Sequence, residues 1–375
     1  MKPKFDFVDS EIKQIKQNHL LRKLRYGKVE GPTITIKGKK LLNLCSNDYL
    51  GIPPSSLRIN QMQSSSRLLS GNDESYKTLE KKLAKHKSQQ ASLIFPTGYM
   101  ANLGGISSIA KKGDLILSDE LNHASIIESC KLSGSKVLIY KHNNMEDLNF
   151  KLKQKSKNKF VITEGIFSMD GDFSKLKEIT EIAQKTNAIT VLDDAHGDFV
   201  VGKDGKGTAN YFGVSKKIDL YISSLSKGLG SFGGYIASEK NVIDLNINKS
   251  KPFIYTSAIP SIFVKHALER FDTNREKYQK RLEQNVRSLS KGLHNIGYQI
   301  DSKTHIIPIL IGKEKTALDF GKYLFKKGVY SQPIRYPTVP KNKARVRISV
   351  TGWLSKKDVQ KSLAVFDCAF SKFFR

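Results

Sequence analysis

The stretch AITVLDDAHG, residues 188–197, runs from apolar and β-branched residues straight into Asp193, Asp194, His196 and Gly197. A short apolar run bounded by polar and glycine residues fits a strand buried on both faces of a parallel sheet. In open α/β sheets, ligands bind just beyond the carboxyl ends of such strands. A second stretch, IDLYISSLSKGLGSFGGYIAS at residues 218–238, repeats the arrangement. An apolar run ends in Ser224, Ser226 and Lys227, a glycine-rich turn comes next, and another apolar run begins.

Outward from these two stretches the pattern alternates. ASLIF, DLILS, KVLIY and KFVITEG predict strands, while ESYKTLEKKLAKHKSQQ, YMANLGGISSIA, SIIESCKLS and SKLKEITEIAQKTN predict helices. Strands alternating with helices predict an α/β unit with a mainly parallel sheet. Before it, a basic helix over 11–25 and an extended pair around ITIKGKKLLNL are expected. After it, one long helical stretch over 261–296, strands at HIIPILI and ARVRISV, and two more helices predict a smaller α+β domain. The expected divisions are 1–40, 41–245 and 246–375.

With 375 residues, 39% apolar, the chain is long enough for two packed units and too apolar for disorder. Its longest apolar runs are only a few residues, and the opening MKPKFDFVDSEIKQ lacks an apolar signal core. Cys45, Cys130 and Cys368 form no CxxC pair, so free thiols in a cytoplasmic protein are expected and no metal centre is. The net charge of +28 admits a nucleic-acid binder or scaffold, an acidic substrate or carrier, or simply a solvated basic surface. The densest run, FKLKQKSKNKF, lacks interleaved aromatic platforms, and Lys is spread along the chain.

Five places carry candidate chemistry. Asp193 and His196 follow a strand directly, as a charge partner for a cofactor ring, a ribose contact, a metal ligand or a plain cap would. Lys227, amid Ser224, Ser226 and Gly228, suits a Schiff-base lysine or a surface lysine; GxxxxGK[ST] is absent. Thr97, Gly98 and Tyr99 open a helix, where backbone N–H groups bind phosphate or merely cap. His123 precedes a helix in SDELNHASIIES, and Glu164, Ser168 and Asp170 follow a strand in TEGIFSMDGD.

Taken in order, TEGIFSMDGD, DDAHG and SKGLGSFGGY, with SNDYLG near residue 48 and PTVP followed by ARVRISVT, resemble the α-oxoamine synthases. These are a branch of the fold-type I pyridoxal-phosphate enzymes. The resemblance covers the chain from about residue 20. It implies an aspartate aminotransferase-like fold and pyridoxal 5'-phosphate as cofactor. On this resemblance Lys227 would bond the cofactor, and Asp193 would hold the ring nitrogen protonated. His196 would meet the phenolic oxygen, and His123 would stack on the ring. Thr97, Gly98, Tyr99 and Ser224 would cradle the phosphate. Thr256 and Ser257, in FIYTSAIP, would reach the phosphate of a neighbouring subunit and so imply a homodimer. Ser168 and Asn47 would lie near ring and substrate, with Arg22, Arg335 and Arg347 as substrate contacts.

Family members join an amino acid to an acyl thioester with loss of carbon dioxide. Ala195 and Gly197 in DDAHG, and Arg335 in PIRYPTVP, resemble the branch that condenses L-alanine with pimeloyl-CoA or a pimeloyl acyl carrier protein in biotin synthesis. The rival branch uses glycine and acetyl-CoA and usually lacks that arginine. QSSSRLLSGND departs from the family's glycine-rich GSGGSR pattern, and the segment between Tyr49 and Ser70 is shorter than usual.

Overall fold

The computed structural model describes residues 6–53 and 65–374, so part of the shortened stretch between Tyr49 and Ser70 lies outside the described residues. The chain divides into two compact units: residues 47–168 with 172–280, and residues 1–46 with 169–171 and 281–375. This division differs from boundaries near 40 and 245. Helix Ser261–Asp272 packs on helix Glu74–Lys87 of the first unit, which draws the sequence up to 280 into that unit.

The first unit is built on a seven-stranded sheet. Its strands lie in the order Ala91–Phe95, Gly234–Ser238, Leu220–Ser224, Ile189–Asp193, Lys159–Glu164, Leu115–Asp119, Lys136–Tyr140. Gly234–Ser238 runs antiparallel to both neighbours, and the other neighbouring pairs are parallel. The alternation of side chains along each strand separates two cores. Leu192 joins Leu79, Leu83, Phe199 and Tyr235 in one, while Val191 joins Phe95, Ile126, Ile162 and Ile222 in the other. Fully burying each such side chain contributes on the order of 2 kcal/mol.

Helix Glu74–Lys87 starts where the Asp73 side chain accepts from the Ser75 amide, and it ends at Ser88 in the left-handed region. Helix Gly98–Ser107 is capped by Thr97, whose hydroxyl accepts from the Met100 amide at 3.1 Å. Helix Met145–Leu152, which runs into the start of the lysine-rich stretch, has no counterpart among the expected elements.

The second unit holds a four-stranded sheet, in which Lys39–Asn43 pairs with Val329–Tyr330, and a three-stranded sheet around Ala344–Ser349. Helices Glu314–Lys326 and Lys356–Phe373 pack together, and Tyr298, Phe366, Phe370 and Phe374 form an aromatic cluster. Two expectations are corrected. The N-terminal helix is Asp6–Gln17, not 11–25: His19 takes a positive φ, and residues 20–26 lead without helix into strand Gly27–Glu30. The stretch 261–296 is two helices, Ser261–Asp272 and Glu276–Ile296; Thr273 turns extended and breaks the hydrogen-bond ladder.

Candidate active site

The parallel strands of the first unit place their carboxyl ends along one edge of the sheet, and Gly234 starts its antiparallel strand at that same edge. Glu164 lies beside Asp193, Asp193 beside Ile222, and Ser224 and Phe95 flank Gly234. Each functional side chain sits at or just after one of these ends.

Asp193 closes strand Ile189–Asp193. Its Oδ2 accepts from Asn102 Nδ2 at 2.7 Å and its Oδ1 from the Ala195 amide at 3.0 Å. Asn102 Nδ2 also reaches Ser125 Oγ at 3.0 Å, and Ser125 Oγ lies 2.8 Å from His123 Nδ1. That nitrogen accepts from the Ser125 amide, so a neutral His123 carries its proton on Nε2. Crowding by surrounding protein lowers His123 from the usual imidazole value; Asp193 opposes the shift and Lys227 adds to it. The next residue, Asp194, points elsewhere: its Oδ2 lies 3.1 Å from Lys87 Nζ and its Oδ1 2.7 Å from Thr208 Oγ1. Successive residues at a strand end face opposite ways, and this tells the two acids of DDAHG apart.

A second chain of contacts orients the lysine. Lys227 Nζ lies 2.9 Å from His196 Nε2, and His196 Nδ1 lies 2.7 Å from Tyr49 Oη. Tyr49 Oη donates to Asn47 Oδ1 at 3.0 Å. One tautomer fits every link: His196 donates from Nδ1 to the tyrosine oxygen and accepts at Nε2 from Lys227.

The start of helix Gly98–Ser107 forms a close backbone cradle. A Cβ at Gly98 would fall 3.1 Å from Ser224 Cβ, and one at Gly234 only 2.5 Å from the Gly98 backbone. The first amides of a helix have no partners within it and suit an anion. Tyr99 stands edge-on to His123, with ring centroids 6.2 Å apart.

Glu164 is buried, and one carboxyl oxygen has no partner. Burial and then Asp193 push it well above the ordinary carboxylate range; Lys227 and the His123 and Ser168 amides oppose this. Asn102 Oδ1 is likewise buried without a partner. A buried acid, a lysine tied to a histidine, an open helix terminus walled by glycines, and orphaned polar atoms at one sheet edge fit pyridoxal phosphate.

Of the expected site residues, Asn47, Thr97, Gly98, Tyr99, His123, Ser168, Asp193, His196, Ser224 and Lys227 belong to this unit and lie at or near this edge. Thr256 and Ser257 belong to it too, but line a crevice with Arg67, Tyr76, Ile94 and Phe253. Arg22, Arg335 and Arg347 belong to the other unit. There Arg22 reaches Thr338 Oγ1 at 3.4 Å and Arg335 donates to the His19 carbonyl. Burial and then the Arg22 charge lower the Arg335 pKa. Arg347 lies mid-strand opposite Pro308.

Tyr49 and Asn102 were not among the expected site residues. Tyr49 stands in SNDYLG. Asn102 is a poor helix former placed one turn after Gly98, a signal that its amide serves something other than the helix.

The fold and site define a fold-type I pyridoxal-phosphate enzyme. Residues 39–366 match the family model for aminotransferase class I and II, and the chain belongs to that family. It is 40% identical to the 8-amino-7-oxononanoate synthase of Thermoanaerobacter pseudethanolicus over 96% of both chains. It is 36% identical to 8-amino-7-oxononanoate synthase 1 of Bacillus subtilis over 98% of both. Among solved structures, it resembles a serine palmitoyltransferase of S. paucimobilis with a bound PLP–myriocin aldimine. The TM-score is 0.91 at 26% identity, covering 99% of this chain and 98% of that one.

Proposed function

We infer that the protein condenses L-alanine with a pimeloyl thioester, releasing carbon dioxide and the thiol and giving 8-amino-7-oxononanoate, a step of biotin synthesis. The carrying observation is Lys227 Nζ held 2.9 Å from His196 Nε2 at the sheet edge that also bears Asp193. The near-full-length likeness to 8-amino-7-oxononanoate synthases supports the substrates.

Pyridoxal phosphate supplies the electron sink that lets an amino-acid α-carbon lose its proton. The chain's residues do the rest. The amides at Gly98 and Tyr99, with Ser224, bind the phosphate. Asp193, fixed by Asn102 and the Ala195 amide, keeps a proton on the ring nitrogen. Lys227 takes the α-proton of alanine as a positioned base, and His196 aims its amine. His123, whose Nε2 bears the proton when neutral, is placed to stack on the ring and to donate to the thioester oxygen. Arg22 and Arg335, neighbouring cations of the second unit, suit an acyl donor that ends in a carboxylate.

We propose a homodimer in which Thr256 and Ser257 reach the partner's phosphate site. Leu69 and Tyr255 are each 81% exposed on adjoining segments, joined where the Ala258 amide meets the Ser65 carbonyl. Large apolar side chains gathered in the open mark an interface. Light scattering should give twice 42.1 kDa, and a fully active monomer would rule out the shared site. The three free cysteines suit the cytoplasm.

The deciding experiment is a matrix of amino acids against acyl thioesters, read as thiol release. Alanine with a pimeloyl donor should exceed every other pair. Preference for glycine with acetyl-CoA would overturn the assignment.

A further inference from the structure

Behind the active-site edge lies a buried charge cluster that the reaction does not use. Lys87, last residue of helix Glu74–Lys87, has a side chain only 1% exposed. Its ammonium has three donors and three acceptors: Asp198 Oδ1 at 2.6 Å, Asp194 Oδ2 at 3.1 Å and the Lys206 carbonyl at 3.1 Å. Asp194 also accepts from the Thr208 amide and hydroxyl. Asp198 gathers His86 Nε2 at 3.0 Å, Ser223 Oγ at 2.8 Å and Tyr235 Oη at 2.6 Å.

The cluster brackets the functional residues. Asp194 follows Asp193, Ser223 precedes Ser224, and His196 sits midway between Asp194 and Asp198. The amides of Gly197 and Asp198 both return to the Asp194 carbonyl, at 2.9 and 2.7 Å, so residues 194–198 form one tight turn. One ammonium therefore grips both ends of the turn that carries His196.

Buried carboxylates need a partner. Burial alone would lower Lys87, but Asp198 and Asp194 outweigh it and raise its pKa. Burial would likewise raise Asp198, but Lys87 and His86 keep it well below the usual range. Burial lowers His86, and Lys87 is the cation that touches both carboxylates, with the Arg275 charge also acting on Asp198. Space is as tight as charge: a Cβ at Gly207 would fall 1.8 Å from Asp194 Oδ2 and 2.7 Å from Lys87 Nζ.

We propose that Lys87 is a positioning residue: by bridging Asp194 and Asp198 it fixes the turn that sets His196 against Lys227. It touches neither cofactor nor substrate. Small displacements of groups that hold a reacting atom are magnified in binding and rate.

The test uses Lys87→Met, which keeps the stem and removes the charge, and the double variant Lys87→Met, Asp198→Asn. The second removes one of the two carboxylates that lose Lys87, leaving an acceptor for Ser223 and Tyr235, while Asp194 keeps the Thr208 amide and hydroxyl. Three quantities are read: the thermal midpoint of the apoprotein, the Kd for added pyridoxal phosphate, and the pH midpoint of the bound cofactor's visible absorbance. Lys87→Met should lose stability, bind about tenfold more weakly and move the pH midpoint by roughly one unit. The double variant should regain part of the lost stability yet keep the altered Kd and pH midpoint, because nothing bridges the turn. Wild-type Kd and pH midpoint in either variant would overturn the proposal, as would a double variant that does not fold, which would make the cluster purely structural. The inference rests on the pyridoxal-phosphate site: wild-type protein that takes up no cofactor would sink both, whereas normal uptake with unaltered variants sinks this one alone.

Discussion

Asp193 and Tyr49 meet their neighbours through terminal oxygens, and each can be altered with little change in shape. Asp193→Asn keeps an acceptor for the Ala195 amide but loses the charge that, on the proposed function, would hold a proton on the ring nitrogen. A charge-assisted bond contributes about 1.5–3 kcal/mol, so kcat should fall at least roughly tenfold. A stopped-flow assay of thiol release measures it, and an unchanged rate would remove Asp193 from the mechanism. Tyr49→Phe takes away the acceptor 2.7 Å from His196 Nδ1 and leaves a buried N–H without that bond. The loss is about 1–3 kcal/mol, expected mainly in kcat, with a shifted pH profile because the favoured histidine tautomer changes. Identical profiles for the two proteins would deny Tyr49 any part in orienting His196. At this scale Asp193, His196 and Lys227 stand just beyond apolar runs, which marks them as candidates, whereas His123 stands in a polar turn before a helix and is singled out only by the resemblance to the α-oxoamine synthases. Tyr49 and Asn102 were not legible that way. Their contacts span 147 and 91 residues, so a local reading hints that Asn102 serves something other than its helix but names neither partner. Lys87 was less legible still: in a chain so rich in lysine, nothing local separates a buried ammonium from a solvated one.

The elements were legible where hydrophobic period and turn chemistry agreed. Strand Ile189–Asp193 and helix Leu176–Lys185 illustrate this, the latter with its apolar residues on one buried face. Polar and basic residues continue past Gln17 and through 273–275, so composition stays helical where the backbone does not; helix Met145–Leu152 hides because it is only eight residues long and buries just Leu148 and Leu152. How the elements are joined supplies a prediction. His142 ties the end of strand Leu115–Asp119 to the loop after Lys159–Glu164, with Asp119 at 2.9 Å and Asp172 at 2.8 Å. Burial alone would lower its pKa, but the two carboxylates outweigh it and push it up to about 10 from 6.5. A folded-state value above the unfolded one means that the folded state holds the proton more tightly. The stabilisation is therefore complete below pH about 6.5 and is lost as pH rises towards about 10. Thermal midpoints of wild type should fall across that window more steeply than those of His142→Gln. Parallel curves would show that the charged pairings contribute nothing.

Across the whole molecule the excess of cations is spread, not focused. Lys153, Lys155 and Lys157 are exposed at one end of the first unit, and Lys251 and Lys343 are exposed elsewhere. Several other surface lysines are neutralised at short range, such as Lys151 by Asp147 and Lys240 by Asp244. Such pairs contribute little to stability, and their charges cancel at a distance. A net charge of +28 should act as a long-range field on an acidic partner. Coenzyme A carries phosphates and an acyl carrier protein carries acidic side chains, so either donor is drawn in faster at low salt. The field is screened over about 8 Å at physiological ionic strength. A carrier protein meets many surface cations at once, whereas a small thioester meets few. Rising salt should therefore lower kcat/KM for both donors, more steeply for the carrier-linked one, with kcat nearly constant because encounter and not chemistry is screened. Equal slopes would mean that the surface does not distinguish the carriers, and flat lines would reduce the charge to a solubility device. A carrier-linked donor that is not used at all would leave coenzyme A as the thiol. Binding of nucleic acid at physiological salt, with a steep salt dependence, would give the basic surface a different purpose.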